Sequence, residues 1–432
     1  MKKLTLLFIA VFIFTPFAMA GDILAGLSKV NITSPNPGAL HDSLYARVLV
    51  LENSKNRIAF VAVDQGIYTS DEIARIGKEK YGITHLLLSS SHTHSSGKTD
   101  ENFVVNQLTK ALEEATKNMI LVQITGGHRA FPQLGFNRLI VREDGHSRES
   151  WFSDDHYTSE NPERIPFGPV DPEVGVIKVE KMNGEPYAVI MNYACHADVV
   201  CSNYEISADY PGVACRKVEE AFNNKVTCLF IQGAGGDVES LIISSRRNGP
   251  NDSFKSDYRT IERVGELLAY ETIKLTKSLS ASDKKQTGIK LKTDSLHFIG
   301  RFNKDAKFDV NISTILINDD IALATCPGEP MSRLQLEWKN KMRDAGATPF
   351  LLGYTWFKGT WPNYIPDIKS AAQGGYGADQ DGPTLIEVGS GEAIMNKHFE
   401  NYFRLNGLMR SESGPVGFKG GSRWIITEVS AE

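Results

Sequence analysis

Apolar and polar positions in this chain change period several times, and each change marks an element. Residues 44–51 and 57–64 are nearly continuous apolar runs joined by Glu52-Asn53-Ser54-Lys55-Asn56, and they read as two strands. After Ser70-Asp71, a capping pair, the spacing becomes helical and predicts a helix over 70–80. A strand over 84–91, a helix over 101–117 and a strand over 119–126 follow. Residues 127–170 are rich in Gly, Pro, Ser, Asp and Glu and read as long loops, which in compact domains usually carry function. Val174–Val179 and Tyr187–Tyr193 flank Asn183-Gly184 and predict a hairpin. Pro211 opens a helix over 211–222. The strand 226–232 ends in Gly233-Ala234-Gly235-Gly236-Asp237. A helix over 258–280, strand-like alternation over 288–325, a helix from Pro330 to Met342 and a last helix over 384–405 complete the pattern. With no repeat, low-complexity tract or linker, residues 21–432 are expected to form one α/β domain, a mixed β-sheet core flanked by helices.

Residues 1–20 stand apart. Lys2 and Lys3, the apolar run Leu4–Phe17 and Ala18-Met19-Ala20 before Gly21 have the layout of a cleavable secretory signal. The run is too short and too early for a spanning helix, and no other long one follows. An exported protein, periplasmic or secreted, is therefore expected. Across 432 residues, 47 basic against 52 acidic residues give a net charge of −5, and setting the leader lysines aside makes the remainder more acidic. That balance argues against nucleic acid or an anionic membrane as the main partner. The five cysteines, Cys195, Cys201, Cys215, Cys228 and Cys326, are sparse and lack C-x-x-C spacing. They exclude a disulfide scaffold, leave a pairing among Cys195, Cys201 and Cys215 open, and read best as buried apolar thiols.

Candidate chemistry gathers where apolar strands end. His92-Thr93-His94 closes the strand 84–91, and strand alternation would aim both imidazoles one way. Asp64 closes 58–63, His196 follows 187–193, Asp237 follows 226–231 and Glu329 follows Ile321-Ala322-Leu323-Ala324. Any one of these alone reads as a cap or a surface residue. Together they predict a single polar cleft. Two histidines, a carboxylate and a position left for water describe a catalytic zinc site, where a nearby histidine or carboxylate moves protons. That chemistry suits amide or ester hydrolysis, and the chain holds no G-x-S-x-G, P-loop or H-E-x-x-H. The glycine-rich turn 233–236 lacks the Lys-Ser/Thr of a phosphate loop and suggests close backbone approach instead.

In order along the chain stand Ala25-Gly26-Leu27-Ser28-Lys29-Val30-Asn31-Ile32-Thr33, Leu44-Tyr45-Ala46-Arg47, Ser91–Ser95, Gly168–Glu173, Asn192–His196, Ser207–Gly212, Gln232–Asp237, Pro327-Gly328-Glu329, Tyr364-Ile365-Pro366 and Gly375-Tyr376. In these blocks the chain resembles the zinc-dependent catalytic domain of the neutral/alkaline ceramidases, over nearly all of it. The resemblance implies His92, His196, Glu329 and Tyr364 as zinc ligands. It implies His94 as an acid/base beside the metal, Arg138 as a substrate contact and Tyr376 as a group that polarises the carbonyl. Three departures stand out. Where the family often has a second tyrosine, three residues before Tyr364, this chain has Trp361. The family's G-D-V-S reads Gly236-Asp237-Val238-Glu239 here, with Ser240 shifted by one. The family's C-terminal immunoglobulin-like domain is not expected. Glu239, read as a carboxylate at the cleft mouth, would bind a substrate hydroxyl or amine, join the metal shell or act as a base, and would favour a polar N-acyl or O-acyl compound such as an acylated sugar over ceramide. The expected activity is zinc-dependent amide, or ester, hydrolysis. A non-catalytic metal-containing binding protein of the same fold is the alternative.

Overall fold

The computed structural model describes residues 21–131, 134–149, 165–200, 203–242, 257–281, 286–379 and 385–409. The expected signal segment and Cys201 lie outside them. The architecture follows from period-two alternation in strands that are buried on both faces. In Arg57–Val63 every residue after the first is buried. Its odd and even positions feed different cores: Ile58 and Phe60 join one cluster, Ala59, Val61 and Val63 another.

Nine strands form the larger sheet, in the order Thr227–Gln232, Pro186–Tyr193, Glu173–Lys181, Ile120–Ala130, Ile23–Asn31, Tyr45–Glu52, Arg57–Val63, His85–Ser90 and Thr355–Trp356. Pairing is antiparallel except between Pro186–Tyr193 and Thr227–Gln232 and between Arg57–Val63 and His85–Ser90. A second sheet orders Ile289–Ile299, Lys307–Ile317, Ile321–Cys326 and Thr348–Gly353. The inner faces of the two sheets meet in one core, where Leu49, Phe60, Ile124 and Ile190 pack with Ile315, Leu323, Phe350 and Leu352. Helices cover both outer faces. Glu101–Lys117 packs on the larger sheet through Val104, Leu108 and Leu112, and Asp209–Ala221 with Arg259–Ser278 covers its other end. Ser332–Asp344 and Ser390–Leu405 cover the smaller sheet through Leu334, Trp338 and Ile394. The result is four layers, helix–sheet–sheet–helix, each buried face contributing apolar area at about 25 cal/mol per Å².

The mixed sheet flanked by helices matches the sequence reading, and several boundaries do not. The strand Ile23–Asn31 and the strand Thr348–Gly353 were not separated from their surroundings by pattern. Residues 127–170 are not loop throughout. The strand Ile120–Ala130 runs on through Gly126 and Gly127, because side chains there would crowd Phe350 and Ile321 on one face and Leu279 on the other. Gly135–Asn137, Leu139–Val141 and Ser147–Glu149 are further short strands. Pro330 does not open a helix. Glu329–Pro330 pairs in parallel with Tyr364–Ile365, and the helix starts at Ser332. The last helix starts at Ser390 rather than 384. Cys195, Cys215, Cys228 and Cys326 are buried free thiols.

Candidate metal centre

Three loops at strand ends converge on one point. The first leaves His85–Ser90, where Ser91 N–H bonds Val63 O at 2.9 Å and His92 N–H bonds Gln65 O at 2.9 Å. His92 has φ +65°, so the strand's alternation stops before it and does not aim the two rings. A non-glycine residue in that region costs about 1–3 kcal/mol and persists where its surroundings fix it. Even so, the His92 and His94 rings meet edge to face at 4.9 Å. The second loop follows Pro186–Tyr193. Gln232 clamps it, accepting from Cys195 N–H at 3.2 Å and donating to Cys195 O at 2.7 Å, and Tyr210 OH donates to the same oxygen at 2.7 Å. His196 comes next and is fully buried. The third loop follows Ile321–Cys326. Gly328, at φ +141°, leaves no room for a side chain against Asn363 O and delivers Glu329. The turn 233–236 makes the close approach expected of it: a Cβ on Gly236 would lie 2.5 Å from Glu329 O.

Glu329 Oε2 lies 3.3 Å from His92 Nε2 and 3.5 Å from His196 Nε2. His94 Nε2 lies 3.3 Å from His92 Nε2. One ring nitrogen from each of His92, His94 and His196 falls within 4.8 Å of the others. The tautomers follow from the outward nitrogens. His92 Nδ1 faces Gly66 O at 2.9 Å, and His196 Nδ1 faces Gly235 O at 2.7 Å and Val238 O at 3.1 Å. A carbonyl only accepts, so each Nδ1 carries the proton and each Nε2 turns a lone pair inward. His196 Nε2 is buried with no hydrogen-bond partner. An inward lone pair with no donor, beside a carboxylate, fits a cation, and a nitrogen and oxygen donor set of this kind suits zinc.

The other expected residues sit as follows. Arg138 is buried, and its Nη1 donates to Glu239 Oε2 at 2.8 Å while Nη2 donates to Gly236 O at 2.7 Å and to Tyr364 OH at 3.1 Å. Its guanidinium carbon stands 4.9 Å from the Tyr376 ring. Glu239 is not a carboxylate at the cleft mouth: the residue is 1% exposed and ion-paired to Arg138. The reason is strand pairing. Val238–Ser240 pairs antiparallel with Gly135–Asn137, which sets Glu239 beside the segment carrying Arg138. Tyr364 OH meets Arg138, whereas Tyr354 OH donates to Glu329 Oε2 at 3.3 Å. Sequence reasoning missed Tyr354. It is a buried tyrosine at φ +52° in an apolar run, Leu351-Leu352-Gly353-Tyr354, and such a run signals core.

Two of the five strand-end positions do not join the cluster. Asp64 accepts from Tyr45 N–H at 2.9 Å and pairs with Arg47 at 3.1 Å. Asp237 accepts from Ser332 N–H, Ser332 OH and Asn137 Nδ2, and burial pushes its carboxyl up to about 6. Both tie loops together, as strand-end aspartates commonly do.

No family model matches the chain. Among curated proteins it is 26% identical over 269 residues to neutral ceramidase B of Dictyostelium discoideum, a match covering 55% of this chain and 37% of that protein. The match thus spans little more than a third of that relative's length. Among solved structures it is similar to neutral ceramidase from Pseudomonas aeruginosa, with a TM-score of 0.67 at 14% identity over 91% of this chain and 76% of that one. A ceramidase complexed with C2 gives a TM-score of 0.68 at 14% identity, covering 91% and 77%. The mixed α/β fold is thus that of these ceramidase structures.

Proposed function

We propose that the chain is an exported, zinc-dependent hydrolase that cleaves an acyl amide, and also an acyl ester, in the manner of a ceramidase. The observation that carries this reading is the gathering of one ring nitrogen from each of His92, His94 and His196, with the Glu329 carboxylate beside those of His92 and His196. His92, His196 and Glu329 would hold the metal, with Tyr364 or His94 completing the set. When bound, zinc polarises a carbonyl oxygen and lowers the pKa of a water molecule. The protein's own groups do the rest. His94, with a side chain 30% exposed, is the one imidazole of the three in contact with both the cluster and solvent, which suits proton transfer. The half-buried Tyr376, beside the Arg138 guanidinium, offers a hydroxyl to a substrate carbonyl. Arg138 itself is committed to Glu239, Gly236 and Tyr364, so its part is to hold that wall in place.

The expectation of a polar substrate rests on Glu239 lying at the cleft mouth. Buried against Arg138, it does not repel an acyl chain. Ile67, next to the Gly66 that anchors His92, and Leu241, two residues beyond Glu239, are both exposed apolar side chains. With that ground for a polar preference gone, fatty N-acyl amides, ceramide among them, stand beside acylated sugars as substrates of the proposed activity. No helix among the described residues is long and apolar enough to cross a membrane. The test is elemental analysis paired with turnover on ceramide in detergent, shorter fatty amides, fatty esters and acylated sugars. One zinc per chain and release of fatty acid are expected. Stoichiometric zinc with no turnover on any of them would refute the hydrolase and leave a metal-containing binding protein.

A further inference from the structure

We infer that Asp198 is the positioning residue of His94, a carboxylate that fixes the ring's tautomer and aims its Nε2 into the cluster. The inference rests on the reading of that cluster as a metal-dependent hydrolytic centre. His92 and His196 are each anchored outward by backbone carbonyls, and their side chains are 8% and 0% exposed. His94 is the least enclosed of the three, so packing holds its ring least. Its Nδ1 faces Asp198 Oδ2 at 3.5 Å. The two residues are brought together by backbone as well: His94 N–H donates to Ala197 O at 3.2 Å, joining the loop of His94 to the residue before Asp198. The separation is longer than a formed hydrogen bond and within reach of a charge pair.

The consequence is chemical. A carboxylate accepts only, so Asp198 selects the tautomer with the proton on Nδ1 and leaves Nε2 as a lone pair, 3.3 Å from His92 Nε2. Two facing lone pairs at that distance repel unless a cation or a shared proton lies between them. Asp198 thus gives His94 the same inward orientation that Gly66 and Gly235 give the other two imidazoles. It also supplies the negative partner that raises the basicity of such a ring. Because Asp198 stands two residues after His196, one loop carries both a cluster imidazole and the group that orients another.

The test uses Asp198→Ala and the near-isosteric Asp198→Asn, whose amide can turn an N–H toward Nδ1 and favour the wrong tautomer. Chelator competition should show zinc affinity weakened about 10–100-fold in both. The ring is read directly by 15N spectra of histidine-labelled protein at pH 8, with or without zinc. The wild type should show His94 protonated on Nδ1, and both variants should move that proton toward Nε2 or into exchange. An unchanged His94 tautomer in both variants overturns the inference, whatever the zinc result. A wild type with the expected tautomer but no stoichiometric zinc would instead overturn the proposed function and leave the positioning role standing. A purely structural role for Asp198 would lower the melting temperature of the zinc-free protein without moving the tautomer.

Discussion

Replacing Glu239 by Ala removes one half of an ion pair whose partners are 1% and 2% exposed. The Arg138 guanidinium would then be buried with Gly236 O and Tyr364 OH as its remaining acceptors. Breaking a buried pair in this way costs about 3–5 kcal/mol, because a charge is left uncompensated out of water. The Coulomb attraction across the pair, at 2.8 Å, is about 6 kcal/mol at an effective dielectric near 20, before desolvation is set against it. The two surviving hydrogen bonds soften the loss, so about 3 kcal/mol is expected. Glu239→Gln keeps an oxygen for Nη1 and should lose less. The double variant Arg138→Met, Glu239→Leu removes both charges and should be more stable than either single variant, since an apolar pair of similar volume is often neutral. Urea unfolding followed by tryptophan fluorescence gives the differences for these variants and for Arg138→Met and Glu239→Leu alone. A cost below about 1 kcal/mol for Glu239→Ala, or a double variant less stable than both singles, would refute the claim that this carboxylate serves the arginine, and would return it to the substrate.

Three further outcomes follow. His196→Ala and Glu329→Ala should each abolish stoichiometric zinc by elemental analysis; retention of zinc in either sinks that residue's assignment. His398 and His85 are buried, and burial holds each imidazole down to about 4. The unfolded chain takes up their protons as pH falls through about 6.5 while the folded chain does not until about 4, so their stabilisation is complete above about 6.5 and is lost between those values, about 3 kcal/mol each. The melting temperature should therefore fall across that window, and His398→Gln should flatten part of the fall; an unchanged slope would contradict it. Cys195, Cys215, Cys228 and Cys326 should resist a thiol reagent in the native state and react on denaturation, and rapid native labelling of any of them would show that its surroundings open.

Elements with a clean period and a capping signal were legible from sequence. Ser70 accepts from Ile73 N–H as its position before the helix implies, and Asp100 accepts from Phe103 N–H. The boundaries that failed depend on contacts from far along the chain. Gly127 reads as loop because glycine usually does, yet the strand runs on through it, with Leu279 packed where a side chain would stand. Pro330 reads as a helix start because nothing nearby shows that Tyr364–Ile365 will pair with it. Within the site, His92, His94, His196 and Glu329 were visible as strand-end polar residues and do gather. Asp64 and Asp237 carried the same local signal and serve Arg47 and Ser332 instead, and no local pattern tells the two fates apart. Glu239 was misplaced for a similar reason: its partner Arg138 directly follows the strand Gly135–Asn137, which only tertiary pairing brings alongside.

The three histidines ride on loops of the larger sheet, while Glu329 rides on a loop leaving the smaller one. An ion held by both acts as a clasp between two stacked sheets, not as a feature of either. Its affinity is then a gauge of how the sheets are seated: a slide of one across the other separates the carboxylate from the imidazoles even with every strand intact. By mass action the converse holds, and each tenfold of metal above its dissociation constant adds about 1.4 kcal/mol against sliding and unfolding alike. Substitutions at Phe350 or Leu323, at the buried seam between the sheets and distant in sequence from all four residues, should therefore register as changes in metal retention.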